Sequence, residues 1–411
     1  MRGRHTPPGT VEWAPGSGAS GRCRFMSVRV EVQPSVLEWA RARSGIDDET
    51  WENRFPRYEA WLDGDTAPTL KQLEDFARRT HTPVGFLFLD EPPVESVPIP
   101  DFRTIGSRPV GVGQAVSADL LDVIYTCQAR QEWYRDHQLL NGEAPLDFVG
   151  SARVGDPVEA IAERMGALLD WTVESRARCR TWDQALTWLR EQAEATGVLV
   201  SISGIVGSDT HRKLDPQEFR GFALVDPYAS VVFVNGADSK AAQVFTLAHE
   251  LAHLWLGETA LSDLDPRSTD ANAVERWCNQ VAAELLVPMA EFRNVFDPAR
   301  DVREQLQVLA ERFRVSTQVI LGRARESGAF TWDRYLQELE VERARVAALF
   351  AERGAGGNYY NTKPVQIGKR FARAIVASAL EGQTSYTEAF RMLGLKKAAT
   401  FDELAQRLGV L

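Results

Sequence analysis

Hydrophobic positions along the chain follow two periods. Residues 35–44 repeat apolar positions at helical spacing through Leu37, Trp39 and Ala40, and a short second helix surrounds Trp51. Helical patterns return over 68–79, most of 115–192 (Trp133, Tyr134, Trp171, Trp182 and Trp188 as core aromatics), 300–352 and 359–411. Between them, 197–201, 219–226 and 231–235 are short β-branched or aromatic runs and read as three strands. Gly221, Asp226-Pro227 and Asn235-Gly236 supply breaks and turns. The expected fold is α+β, predominantly helical, with a small sheet. The run 245–256 is apolar at Phe245, Leu247, Ala248, Leu251, Ala252, Leu254, Trp255 and Leu256, so it reads as a buried helix, and Gly257 is a plausible end for it.

That buried helix carries His249, Glu250 and His253. Two imidazoles four residues apart project from one helical face and can meet one metal ion. Glu250 points near the metal without ligating it, where it can take a proton from water. Two of the chain's six histidines fall in this pentad. An apolar helix is a costly place for two imidazoles and a carboxylate unless a cation joins them.

A third ligand is available in the helical stretch 272–288, which holds Glu275 and Glu284. Glu275 and Asn279 share a face at i, i+4, so Glu275 can ligate zinc while Asn279 orients a ligating histidine. Glu284 lies about two and a half turns on and points to another side, either as a buried hydrogen-bonding carboxylate or as a substrate contact. Cys278 could ligate in principle, but a lone buried cysteine is more often a small core residue. Two histidines and one glutamate would leave a fourth position for water, the catalytic arrangement of Zn2+.

The run Phe245–Gly257 followed by Glu275–Pro288 resembles the ImmA/IrrE family of zinc metallopeptidases, with Cys278 where alanine is usual and Val281 where phenylalanine is usual. The resemblance covers about residues 155–325. It implies a zincin-like domain with His249, His253 and Glu275 as ligands and Glu250 as general base. The strands ahead of the helix would place an edge strand beside the metal, able to pair with an extended peptide. His211, between the first two strands, is a candidate transition-state stabiliser, though a solvated loop histidine is the commoner case.

With 411 residues the chain is too long for one ordinary domain. Residues 1–25 are rich in Gly, Pro, Arg and Ser and read as a disordered tail, or as an over-extended start with Met26 as initiator. Residues 26–91 resemble the XRE family of helix-turn-helix regulators through Trp61, Gly64, Pro68-Thr69-Leu70 and Phe86-Leu87-Phe88. The stretch from Gly45 to Trp61 is shorter than that family's usual pattern, and Pro56 interrupts it. The segment holds eight cations against thirteen acids, a poor balance for a polyanion partner, so a protein-docking role stands beside DNA binding. Residues 92–114 form a proline-rich linker. A peptidase domain then spans 115–352, where Ser316 would cap a late helix, and a helical unit with excess positive charge spans 353–411.

Four cysteines without pair spacing suit a reducing cytoplasm, and no apolar run is long enough to span a membrane. The resemblances together imply a regulatory zinc metallo-endopeptidase that cleaves a partner such as a transcriptional repressor, in a stress or phage-related response. The alternative is an antitoxin that binds a partner toxin and represses its own operon through the helix-turn-helix. DNA contact and homodimer formation stay open.

Overall fold

The computed structural model describes residues 28–100, 104–105, 108–109, 116–262, 273–351 and 359–411. The expected tail, 1–25, lies outside them. The chain divides into two compact units, one ending at Pro93 and the other running from Val94 to Leu411.

In the first unit, α1 (Pro34–Ser44) ends on Gly45 in the left-handed region, α2 (Asp48–Arg54) is capped by Asp47, and α4 (Leu70–Arg79) starts with a reciprocal Thr69–Gln72 capping box. Pro56 comes just after Phe55, the C-cap of α2, and α3 (Tyr58–Leu62) is only five residues long. Proline lacks the N–H that would continue α2, so the turn is fixed there. Trp51, Phe55, Tyr58, Trp61 and Phe76 pack as one aromatic cluster, so both large side chains of α3 serve the core.

The second unit begins with a hairpin of β1 (Thr104–Ile105) and β2 (Arg108–Pro109), then the long helix α5 (Ala118–Leu140). Helices α6 (Val158–Leu168), α7 (Val173–Arg178) and α8 (Trp182–Ala195) precede the sheet strands β3 (Leu199–Ser203), β4 (Gly221–Leu224) and β5 (Val231–Asn235). Next come α9 (Lys240–Leu256), β6 (Ala260–Ser262) and α10 (Ala273–Leu286). Helices α11 (Met289–Val295), α12 (Val302–Phe313), α13 (Thr317–Glu326) and α14 (Trp332–Ala351) follow, with Ser316 capping α13 through the Val319 N–H. The chain closes with α15 (Tyr359–Ile367), α16 (Lys369–Leu380), α17 (Tyr386–Leu393) and α18 (Ala398–Arg407).

The sheet order is β3-β5-β4-β6, with β3 and β5 parallel and the other pairs antiparallel. Side chains alternate between two cores. Val200, Ile202, Ala223, Val232 and Val234 join α6, α8, α9 and α10 on one face. Leu199, Phe222, Leu224, Val231 and Phe233 join α5, α16, α17 and α18 on the other. Burial of both faces explains why the strands are buried at every position and largely apolar rather than alternating.

Two expectations need correction here. The described part of the segment 353–411, residues 359–411, does not stand apart: Phe371, Ile375, Phe401 and Leu404 share a core with Phe222 and Leu261, because the sheet's second face would otherwise meet water. Gly221 is not a break either; it is the first residue of β4, paired with Val234 and Ser262. Among the described residues Cys127, Cys179 and Cys278 are free and buried, and no helix is long and apolar enough to cross a membrane.

Candidate metal centre

Helix α9 is fixed at both ends. Ser239 caps its start through the Ala242 N–H, and Gly257 closes it with φ 75°. Gly257 lies against Gly150, where an added Cβ would come within 3.0 Å of the Gly150 Cα. The apolar face of α9 lies across β4 and β5, which turns His249, Glu250 and His253 into the interior, each with 0% of its surface exposed.

Helix α10 packs on α9 and brings Glu275 to the two imidazoles. The two Nε2 atoms lie 3.0 Å apart. His249 Nε2 is 3.2 Å from Glu275 Oε2, and His253 Nε2 is 3.1 Å from Glu275 Oε1. These separations fall in ion-pair range, and neither carboxylate oxygen has a hydrogen-bond partner among the described residues. Two imidazole nitrogens and two carboxylate oxygens therefore converge in the interior, each on a buried residue. Atoms bound tetrahedrally at about 2.0–2.1 Å from one zinc ion lie about 3.3 Å apart, so the observed edges suit one small cation. The donor set of two imidazole nitrogens and a carboxylate suits a divalent transition ion, and His249, His253 and Glu275 are the residues that would hold it.

The electrostatics agree with this geometry. Burial raises the Glu275 carboxyl, but the two imidazoles more than reverse it and hold it at about 2. Burial lowers the His253 imidazole and keeps it neutral, as a ligand must be. Burial, and then the Glu275 carboxylate, push Glu250 well above the usual carboxylate range.

Two residues that sequence reasoning passed over shape the position of Glu250. Ser262, the last residue of β6, donates to Glu250 Oε2 at 3.4 Å and lies 3.3 Å from His253 Nε2. A Cβ at Gly221 would fall 2.9 Å from Glu250 Oε1, 2.7 Å from Thr246 Cγ2 and 2.8 Å from the Phe233 carbonyl. Glycine is thus the residue that leaves space for the carboxylate. A three-residue strand gives too short a pattern to mark Ser262, and Gly221 looked like any turn glycine.

Other expected site residues are not in the centre. Asn279 is half-buried, and Nδ1 of both histidines lacks a hydrogen-bond partner, so Asn279 orients neither ring. His211 is exposed in the β3–β4 loop, where its backbone N–H donates to Asp209. The neighbouring Arg212 is tied to Asp119 and Asp122 of α5, which packs on the sheet face opposite α9. Cys278 is a buried core residue outside the ligand group, its thiol pushed well up by burial and then by Glu275 and Glu250. Glu284 resolves to the first of its two readings: it pairs with Arg323 and accepts the Met289 N–H.

No curated relative matches the chain at a significant level. Residues 367–407 match the model of a domain of unknown function, DUF8813, which corresponds to α16–α18. Residues 193–325, from the end of α8 to α13 and including every residue of the centre, match the peptidase M78 model, an IrrE N-terminal-like domain and a metallopeptidase family.

Proposed function

We propose that this chain is a zinc-dependent endopeptidase that regulates by cleaving a partner protein, with a transcriptional repressor as the favoured class of substrate. The observation that carries the reading is the buried convergence of His249, His253 and Glu275 with Glu250 beside it. A structural zinc would need a fourth protein ligand and no neighbouring free carboxylate. Zinc supplies Lewis acidity, polarising a carbonyl oxygen and making water more acidic. The chain's own part is proton handling. Glu250 takes the proton of the attacking water and delivers it to the departing amine nitrogen, and Ser262 fixes the carboxylate for both transfers. The buried surroundings keep bulk water from competing for that proton.

The unit ending at Pro93 is proposed as a docking module for the partner rather than a reader of bases. Support comes from its acid excess, from the five-residue α3 whose Tyr58 and Trp61 are buried, and from a groove of about 690 Å³ lined by Arg54, Arg57, Trp61 and Lys71.

The test compares wild type with Glu250→Gln after measuring bound metal. Both proteins should hold about one zinc per chain, and only wild type should cut the protein encoded beside this chain's gene. A stable complex with that protein, uncut and identical in both variants, overturns the reading in favour of an antitoxin acting by contact alone.

A further inference from the structure

We propose that the outer edge of β6 is the seat for an extended peptide, and that the chain's own Val97–Pro100 segment occupies that seat as an internal guard. The inference rests on the peptidase reading of the centre and adds its regulation.

The sheet has two edges, β3 and β6. Residues of α15 lie along β3, where Ser201 Oγ donates to the Ile367 carbonyl. β6 is the edge beside the catalytic carboxylate, since its Ser262 touches both Glu250 and His253. Leu261 stands opposite Phe222 in the β4–β6 register, and its N–H points away from β4. A peptide laid against β6 would take that donor, as strand addition does elsewhere. In this structure the acceptor is the Pro100 carbonyl, at 2.9 Å. The segment is anchored by alternate side chains: Ile99 is buried in the core that holds Leu261 and Phe222, Val97 packs against the same core, and Pro98 and Pro100 face solvent.

The composition suits a removable occupant. Neither Pro98 nor Pro100 has an N–H to donate, so the segment cannot complete a ladder. Among the described residues one backbone hydrogen bond joins it to β6. An incoming peptide with ordinary residues could make more. In sequence the segment begins four residues after the boundary at Pro93. A partner pulling on that connection could expose the edge.

The test uses full-length, zinc-loaded protein in two backgrounds. With Glu250→Gln to prevent turnover, binding of oxidised insulin B chain is read by fluorescence anisotropy, with and without Ile99→Asp. If the segment holds the edge in most molecules, releasing it should tighten binding by about tenfold or more. Hydrogen exchange at the Leu261 amide should speed up in the same variant. Ile99→Ala, checked for an unchanged melting profile, repeats the measurement with a milder change and should shift binding in the same direction. Equal binding in all three, or unchanged exchange at Leu261, overturns the guard. With Glu250 intact, Ile99→Asp should cleave the same peptide faster by a similar factor. Tighter binding without cleavage would leave the guard standing and sink the peptidase reading instead.

Discussion

Helix α10 carries two acidic residues whose surroundings are opposite. Glu284 is saturated: it pairs with Arg323, accepts the Met289 N–H, and so caps α11. Arg323 is itself completed by Glu326 and by the Val287 carbonyl at 2.8 Å. Nearby, Arg176 donates to the Leu286 carbonyl and pairs with Glu291, so the end of α10 is neutralised by two guanidiniums. Glu275, nine residues earlier in the chain, faces two imidazoles and accepts no hydrogen bond from either. A carboxylate held by a guanidinium and a backbone N–H is structure. A buried carboxylate aimed at two imidazole nitrogens is an arrangement that suits a cation.

Exchanging the two carboxylates in turn gives the largest contrast. Glu275→Ala should abolish zinc retention and all peptide cleavage, a loss beyond the 10–100-fold that follows removal of an outer partner of a ligand. Its melting temperature should gain nothing from added zinc. Metal analysis and melting curves with and without a chelator check both halves. Zinc retained at full stoichiometry would break the contrast.

Glu284→Ala should do the reverse. Zinc content should hold at the wild-type value while stability falls by about 3 kcal/mol, the low end for breaking a buried pair, since Arg323 keeps Glu326. Denaturant melts measure the fall. Zinc should still raise the melting temperature of this variant, whereas it should not for Glu275→Ala.

The sequence reached this contrast only in part, and the reason is directional. Spacing four apart placed His249 and His253 on one face, and an apolar helix around them declared the burial. A carboxylate on another helix carries no such signal: Glu275 and Glu284 both sit among apolar neighbours, and only packing shows which one turns toward α9. Asn279 shares the helical face of Glu275, yet face alone does not give hydrogen-bond direction, and neither Nδ1 finds a partner. The three strands were legible because both faces are buried, but β6, at three residues, was not. The role of 359–411 was hidden for a similar reason. Helix period shows that an element has an apolar stripe and leaves open what covers it, which here is the second face of the sheet.

A smaller effect tests how tightly the site is framed. Gly221→Ala should retain zinc and lose about 1–3 kcal/mol of stability, because the new methyl must displace Thr246, the Phe233 carbonyl or Glu250. If Glu250 is what moves, turnover should drop tenfold or more with little change in KM. Ser262→Ala should lower turnover without any overpacking cost, which separates lost orientation from lost space. Unchanged turnover in both would mean that Glu250 is held by its own helix alone.

A third kind of buried charge has, among the described residues, neither an acidic partner nor a converging set of ligands. Lys363 of α15 is buried and donates to Ser208 Oγ at 2.7 Å, beside Gly394 at the end of α17. Burial, and then the nearby Arg130 guanidinium, lower its ammonium from 10.5 to about 8. The folded protein therefore releases this proton more readily than the unfolded chain. Between pH 8 and 10.5 the unfolded state binds more protons, so stability from this group rises with pH, at up to about 1.4 kcal/mol per unit. Below pH 8 the cost of burying the charge is present in full; above 10.5 it is gone. Lys363→Met should flatten that rise, read as the difference between wild-type and variant denaturant melts across the window, which cancels the other titrating groups. A buried cation with no acidic partner among the described residues gives up its proton more readily, whereas the donor set around Glu275 suits a metal. A pH profile unchanged by the substitution would show that Lys363 keeps its charge through the Ser208 contact, and the α17 terminus would then belong with Glu284 among the completed networks.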